Sequence, residues 1–271
     1  MKQQALVSDF VYQLFSLVIS LIIVHAYYVA VVRPNSDAVL AQQAVMQEQD
    51  PTFVQDVSLY VVLKDYEQES EIILMLWALA IIGLKMKRNI NESRLLDRPL
   101  LNLAEGMSIL PQDARDHARA LQALPPQERS YLLPRALLAG LHRFSATRNI
   151  QDVSSVVKDV CGTEADRLES ELAIVRYVAW AIPAIGFIGT VRGIGQALAQ
   201  AHRAVTGDIL GVTVNLGVAF NSTFVALVAS MLVMFLLYQL QLMQDRLVLD
   251  TQTYCDNYLI SHLQLPERDA P

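Results

Sequence analysis

Four apolar stretches constrain the fold of this 271-residue chain more than any other feature. Phe10–Val32 contains no Asp, Glu, Lys or Arg over 23 positions, and Ile209–Gln244 contains none over 36. Tyr177–Ala201 is interrupted by Arg192 alone, and Ile72–Leu84 supplies a shorter run of 13 residues. A helix needs roughly 20 apolar residues to cross a bilayer core about 30 Å thick. The stretches therefore predict an all-α integral membrane protein.

The shortest stretch, Ile72–Leu84, has two interpretations. By itself it is also compatible with a buried helix of a soluble domain. Lys85 and Lys87 follow it, however, and long basic side chains can snorkel to the interface and extend the effective span. We therefore predict four transmembrane helices.

Composition agrees with the membrane class and excludes several others. Hydrophobic residues make up 53% of the chain and charged residues 18%, against about 45–50% and about 25% in soluble domains. The net charge of −6 offers no general attraction for nucleic acid, so we expect no such partner. Cys161 and Cys255 are too few for a disulfide scaffold, and no glycine-rich nucleotide motif is present. We expect no enzymatic activity, no cofactor and no metal.

Loop charges predict the orientation. Of the 21 Lys and Arg residues, 14 lie between Lys85 and Arg176, whereas segment 34–70 holds seven acidic residues and Lys64 as its one base. By the positive-inside rule, the basic segment is cytoplasmic and the acidic loop is periplasmic, with both termini inside. The first apolar run is longer than the roughly 7–15 residues of a signal-peptide core, so we expect a retained anchor.

These features divide the chain into four predicted parts. Residues 1–86 form a first transmembrane hairpin with the acidic loop 34–70, and residues 87–170 form a helical cytoplasmic domain. Residues 171–244 form a pair of transmembrane helices, and residues 245–271 form a cytoplasmic tail. In the cytoplasmic domain we expect helices over 91–106, over 111–124 and over 127–145, the last kinked or restarted at Pro134. Leucines at helical spacing predict its core: Leu103, Leu121, Leu124, Leu132, Leu133, Leu137, Leu138 and Leu141.

The last two crossings carry small residues at helical spacing. Gly186, Thr190, Gly193 and Ala197 are four, three and four positions apart. The final crossing repeats the pattern with Gly211, Asn215, Ala219, Ser222, Thr223, Ala226 and Ser230. Small residues allow helix backbones to approach closely in lipid, so these faces are predicted to pack.

Polar side chains in these crossings need partners, because hydrocarbon solvates them poorly. Thr190, Asn215 and the consecutive Asn221, Ser222 and Thr223 either line a wet cavity or bond carbonyls of their own helix. Three consecutive positions cover about 200° of a helix, too much for one narrow interface.

Charged groups are scarce in the same two crossings. Neither crossing contains Asp or Glu at membrane depth, so a carboxylate for a proton relay is expected from another polypeptide. Arg192 near the outer end either snorkels, raises a barrier to cations or pairs with a carboxylate of a partner. His25 of the first crossing is expected to be a packing or interface residue.

One motif points to a family. The segment Pro183–Ile194, P-A-I-G-F-I-G-T-V-R-G-I, resembles the P-x-x-G-x-x-G-T-V-x-G-I stretch of the MotA/TolQ/ExbB proton-channel family. The segment Ser222–Ser230 resembles that family's last crossing, where a threonine precedes a small-residue strip. The resemblance spans about residues 169–242, and the four predicted crossings resemble MotA more than the three-crossing TolQ and ExbB.

The resemblance implies a function. Members form homopentamers in the bacterial inner membrane around two copies of a single-crossing MotB/ExbD/TolR-like partner, which supplies an intramembrane Asp. Carried onto this chain, Thr190 and Thr223, with Asn215, Asn221 and Ser222, would face the partner helix and the ion path. Pro183, Gly186, Gly189 and Gly193 would pack or kink the third crossing. Arg192 departs from the family pattern, and the cytoplasmic segment shows no clear match to flagellar-rotor contact charges.

The resemblance therefore predicts a channel or stator-like subunit of a proton- or sodium-driven motor. Two other classes stay open from the residues alone. A non-conducting membrane scaffold would explain the small-residue strips but not the polar cluster, and a transporter subunit would also have polar crossings, although no internal repeat is visible.

Overall fold

The structure is a computed structural model that describes residues 2–49, 58–101, 107–205, 207 and 209–265, with side chains described from residue 9 except residue 48. Within these ranges the regular elements are helical, apart from one isolated bridge between Ile109 and Leu263. The helices are α1 (Lys2–Tyr27), a π-helical segment (Tyr28–Val32), α2 (Arg33–Gln49), α3 (Leu59–Leu63), α4 (Tyr66–Ser93), α5 (Ala114–Gln122), α6 (Pro126–Arg129), α7 (Leu132–Thr147), α8 (Ile150–Glu171), α9 (Ala173–Ala199), α10 (Ala201–Val205), α11 (Leu210–Tyr258) and a 3₁₀ turn (Ile260–His262).

Three helical stretches among the described residues are long and apolar enough to cross a membrane. They are Asp9–Gln47, Ile150–Ala199 and Leu210–His262, and they contain three of the four predicted crossings. The all-helical membrane class predicted from the sequence is therefore supported. The fourth predicted crossing, Ile72–Leu84, lies inside α4 but is not among these three stretches, so it stays a prediction.

The helix that contains the first predicted crossing continues beyond Val32, the last residue of that crossing. After the π-helical segment Tyr28–Val32, α2 continues the helix from Arg33 to Gln49, through the first part of the predicted loop 34–70. A π-turn fits just before Pro34, because proline lacks the N–H that a regular helix would use. The following residues are rich in Ala, Gln, Val and Met, most of which sustain a helix. Residues 50–57 of that loop lie outside the described residues.

The chain divides into two compact units. The first contains Met1–Gly83 and Ile174–Leu237, and the second contains Leu84–Ala173 and Tyr238–Pro271. In the first unit, Val24, Tyr28 and Val32 form a buried cluster with Leu63 and Ile72 packed against it. Trp77 of α4 donates its indole N–H to the carbonyl of Gln13 at 2.8 Å, which fixes α4 to α1.

The second unit is a helical bundle with its own hydrophobic core. Predicted leucines at its centre are at most 1% exposed, namely Leu121, Leu132, Leu133, Leu137 and Leu141. Leu124 and Leu138 are partly buried against this core, and Leu103 lies outside the described residues. The N–H of Ile109 donates to the carbonyl of His262 at 2.7 Å, which ties the chain end into the bundle.

Several helix boundaries in the second unit differ from the predicted ones. The prediction of a separate helix over 91–106 is wrong for its described residues, because α4 runs through to Ser93 and the chain then turns. Residues 102–106 lie outside the described residues. Helix α7 begins at Leu132, so Pro134 stands in its first turn, where a missing N–H costs no hydrogen bond. Helix α11 passes residue 244 unbroken to Tyr258, while residues 266–271 of the predicted tail lie outside the described residues.

Candidate functional site

Helices α9 and α11 approach closely within the first unit because small residues line their contact. A methyl group added at Gly186 would clash with Ala226, and one added at Gly189 would clash with Ser222. At Gly193 it would lie 2.8 Å from the backbone nitrogen of Ala219. At these three glycines the structure therefore leaves no room for a side chain.

Pro183 lies inside α9, as predicted. Proline has no N–H for the carbonyl four residues earlier, which belongs to Ala179. The hydroxyl of Ser230 in α11 donates to that carbonyl at 2.9 Å. The gap in the α9 hydrogen-bond ladder is thus filled by a side chain of the neighbouring helix, which also links the two helices.

Thr190 and Thr223 meet at the centre of this contact. Their hydroxyl oxygens are within hydrogen-bond distance of each other. The Thr190 hydroxyl also lies 3.0 Å from the carbonyl of Ala219 and 3.2 Å from that of Gly186, and the Thr223 hydroxyl lies 3.2 Å from the Gly186 carbonyl. Both side chains are half-buried in the single chain, so the pair is packed on one side and open on the other.

The remaining predicted polar residues separate into different environments. Ser222 is fully buried and accepts a hydrogen bond of 3.3 Å from the side-chain amide of Gln68 in α4. Asn215 donates to the carbonyl of Gly211 in its own helix at 2.7 Å. Asn221 is half-buried on α11. The structure therefore brings Ser222, Thr223 and Thr190 together and leaves Asn215 on a local contact.

Arg192 is paired within its own chain. Its Nη2 donates to Glu67 of α4 at 2.8 Å, its Nε lies 2.7 Å from the other oxygen of that carboxylate, and Asp65 is 3.7 Å away. Burial raises the pKa of Asp65, although Lys64 and Arg192 oppose this shift. Arg192 thus has carboxylate partners that none of the three predicted alternatives included.

This pairing adds a group that the sequence analysis did not place. The last two crossings lack Asp and Glu, yet α4 brings the Glu67 carboxylate to Arg192; a relay carboxylate from another polypeptide stays a prediction. The first turns of α4 bring Glu67 to Arg192, and Gln68 to Ser222. The signal was the spacing of acids at 65, 67, 69 and 71, of which 67 and 71 share one helix face.

A second cluster lies on the opposite side of the same turns. Glu69 is buried and pairs with Arg33, and its other oxygen lies 2.7 Å from Nδ1 of His25. The Arg33 guanidinium also lies 4.6 Å from the ring centre of Tyr66. His25 therefore contacts a carboxylate of its own chain, although its side chain is 58% exposed.

The arrangement combines hydroxyls, an amide, carboxylates and a guanidinium, which together supply both hydrogen-bond donors and acceptors. Among the described residues, no group of three or more His, Cys, Asp and Glu side chains is placed to hold a metal ion.

Comparison with known proteins gives one match. Residues 129–253 match the model of the MotA/TolQ/ExbB proton channel family, which confirms the family named from the sequence motif. The matched range includes α9, most of α11 and both threonines. No curated protein and no solved structure shows a significant match to the chain.

Proposed function

We propose that this chain, whose residues 129–253 match the MotA/TolQ/ExbB proton channel family, is the channel-forming, stator-like subunit of an ion-driven motor in a bacterial inner membrane. Five copies would surround two helices of a single-crossing partner, with α9 and α11 innermost. Proton or sodium flow past an intramembrane Asp of the partner would move its periplasmic domain. The observation that carries this proposal is the threonine pair, which lies within the matched range on a close-packed pair of helices.

The proposed topology has four crossings with both termini inside. Helix α4 has 28 residues and is therefore about 42 Å long, enough to cross a bilayer although its apolar part is short. The basic residues between Lys85 and Arg176 support a cytoplasmic second unit by the positive-inside rule.

The threonine pair would act by donating and accepting hydrogen bonds on the face of α9 and α11 that meets the partner helix. A hydroxyl has one proton to donate and two lone pairs to accept with. While Thr223 donates to the Gly186 carbonyl, its lone pairs can accept a hydrogen bond from a protonated carboxyl group or solvate a passing ion. When the partner Asp is ionised, the same hydroxyl can rotate and donate to it.

One observation favours a non-conducting scaffold as the second candidate. Both hydroxyls already have backbone acceptors within the chain, so packing alone accounts for their positions. On that hypothesis the pair needs no ion and no partner carboxylate. The two functions differ in what the loss of one hydroxyl does to flux.

The test uses the complex purified with the product of a neighbouring gene and reconstituted in vesicles. Thr223→Val keeps the shape of the side chain and loses the hydroxyl's contacts with Thr190 and the Gly186 carbonyl, so it should assemble normally with a stability loss of about 1–2 kcal/mol. It should abolish proton or sodium flux, while Thr223→Ser should retain much of it.

The matched control is Thr251→Val. Thr251 is a buried threonine of the same helix, and its hydroxyl donates to the Leu247 carbonyl at 2.7 Å. This variant should lose similar stability but conduct normally. Native mass spectrometry of each sample should show a pentamer. Normal flux through an assembled Thr223→Val complex would support the scaffold and end the channel assignment of this residue.

A further inference from the structure

The acidic residues at the start of α4 differ in whether they have partners. Glu67 is paired with Arg192, and Glu69 is paired with Arg33 and His25. Glu71 follows on the same helix face as Glu67, one turn further into the helix. Both of its carboxylate oxygens are inaccessible and have no hydrogen-bond partner within the described part of the chain.

Glu71 is completely enclosed by the first unit. Its exposed fraction is 0%, as is that of Gln68, whose side-chain oxygen is also without a hydrogen-bond partner among the described residues. The hydroxyl of Tyr28 is a further unpartnered, buried polar atom that interacts electrostatically with Glu71. Because this burial exists in the single chain, neither lipid nor another subunit can reach the carboxyl group without a rearrangement.

An ionised, unpaired carboxylate at such a position is strongly disfavoured. Removing a carboxylate from water costs several kcal/mol even after relaxation, unless a cation or hydrogen bonds compensate. The charged groups on the surrounding elements do not compensate. Arg192 of α9 pairs with Glu67, and Arg33 pairs with Glu69. The negative charge of Glu67 also repels an ionised Glu71.

Among the described residues, the titratable and charged groups on the elements packed around the start of α4 can be named. They are Asp65, Glu67 and Glu69 before and on α4, His25, Tyr28 and Arg33 from the first helical stretch, and Arg192 from α9. Helix α11 contributes Ser222 through Gln68 and has no charged residue up to position 244.

We infer that Glu71 is a proton-binding site of this chain, a carboxyl group that the folded protein holds in its neutral, protonated form. A proton adds to one carboxylate oxygen and creates an O–H donor. The side-chain oxygen of Gln68, three positions earlier on α4, is a buried acceptor without a partner among the described residues. Gln68 in turn donates to Ser222, the residue before Thr223. The assignment of this proton to the transport path rests on the proposed function, but its presence on Glu71 does not.

Infrared difference spectroscopy of the purified chain tests the site directly. A protonated carboxyl group absorbs as a carboxylic acid, separately from ionised carboxylates. At neutral pH the wild-type minus Glu71→Gln spectrum should show one carboxylic-acid band. Glu69→Gln is the matched control, because Glu69 is a buried carboxylate of the same helix with two basic partners; its removal should lose a carboxylate band and leave the acid band in place.

The opposite pattern would overturn the inference. If Glu71→Gln removes a carboxylate band and no acid band, Glu71 is ionised and the site does not exist as described. Should Glu71→Gln fail to fold, Glu71→Leu serves instead, since an apolar residue of similar size needs no hydrogen bond there. Should both fail, the wild-type spectrum decides, because absence of any carboxylic-acid band at neutral pH contradicts a protonated Glu71.

Vesicle flux then separates this site from the proposed function. If the reconstituted complex conducts, Glu71→Gln should reduce ion flux more than Glu71→Asp, because the aspartate variant keeps a titratable carboxyl group and the glutamine variant does not. If the wild-type complex conducts nothing, the proposed function fails, while the acid band still establishes the proton on Glu71. The two inferences therefore fail on different measurements.

Discussion

The contact between α9 and α11 makes Gly193 far less tolerant of a side chain than Gly195, two residues along the same helix. A methyl group at Gly193 would lie 2.8 Å from the nitrogen of Ala219 and 2.8 Å from the carbonyl oxygen of Asn215. Both atoms belong to the backbone of α11, so no side-chain rotation relieves the contact. A methyl group at Gly195 meets nothing within 4 Å.

The magnitude follows from this geometry. Restoring an ordinary contact of 3.4 Å from 2.8 Å requires the helices to separate by about 0.6 Å, and such overpacking typically costs 1–3 kcal/mol. The same shift would lengthen the 3.0 Å hydrogen bond from Thr190 to Ala219 to about 3.6 Å and lose it, at about 1 kcal/mol. Replacing Gly by Ala in a helix interior stabilises the folded state by about 1 kcal/mol. Gly193→Ala should therefore be destabilised by about 1–3 kcal/mol, whereas Gly195→Ala should gain about 1 kcal/mol.

The assay is unfolding of the purified chain in detergent, by heat or by titration with a denaturing detergent. It compares wild type, Gly193→Ala and Gly195→Ala under identical conditions. The two variants have the same chemical change and differ in what the new methyl group meets. Equal stability of the two variants would refute the close approach of α9 and α11 from which the magnitude was worked out.

Two further predictions concern the second unit. Glu92 accepts a hydrogen bond from the N–H of Leu132, and burial raises the pKa of this carboxyl group above its ordinary 4.5. Because the folded state binds the proton more tightly than the unfolded state, the free energy of unfolding should fall as pH rises from about 4.5 through the raised pKa. In unfolding experiments at several pH values, Glu92→Gln should lose this dependence and Glu92→Leu should cost about 1–3 kcal/mol by orphaning the N–H; an unchanged pH slope for Glu92→Gln would contradict the shift. Lys85 and Glu171 form an ion pair of 2.7 Å with side chains only 11% and 23% exposed, so Lys85→Met and Glu171→Gln should each cost about 1–3 kcal/mol, with the double variant losing less than their sum. Strictly additive losses would show that the pair is not coupled.

Sequence reasoning is most direct where a property depends on one helix. The spacing of Gly186, Thr190, Gly193 and Ala197 predicted a packing face on α9, because the period of an α-helix decides which side chains align, and in the structure the glycines at 186 and 193 lie against α11. The family resemblance implied that Thr190 and Thr223 face one ion path, but not that they touch. The structure brings their hydroxyls into contact, which depends on the relative shift of two helices and not on either sequence segment.

Helix ends were less predictable than helix existence. Segment 34–49 contains Pro34 and polar residues, which suggested a loop, yet α2 continues through it. Alanine and glutamine sustain a helix without a hydrophobic face, and the π-helical segment adapts the backbone to the proline. Similarly, α11 passes beyond its apolar stretch, because a helix does not need to end where the hydrophobic residues do.

The sequence by itself determined the class of this protein, the three longest apolar stretches, the glycine face of α9 and the threonines that mark the family, because each is written in consecutive residues with a helical period. The tertiary structure alone decided that Arg192 pairs with Glu67 across 125 positions and that Gln68 meets Ser222. It alone also encloses Glu71 with no hydrogen-bond partner among the described residues. Such contacts join helices far apart in the chain, and they depend on how whole helix faces pack. Charge sign and spacing show that acids are present, but only packing determines which acid receives a basic partner and which must hold a proton instead.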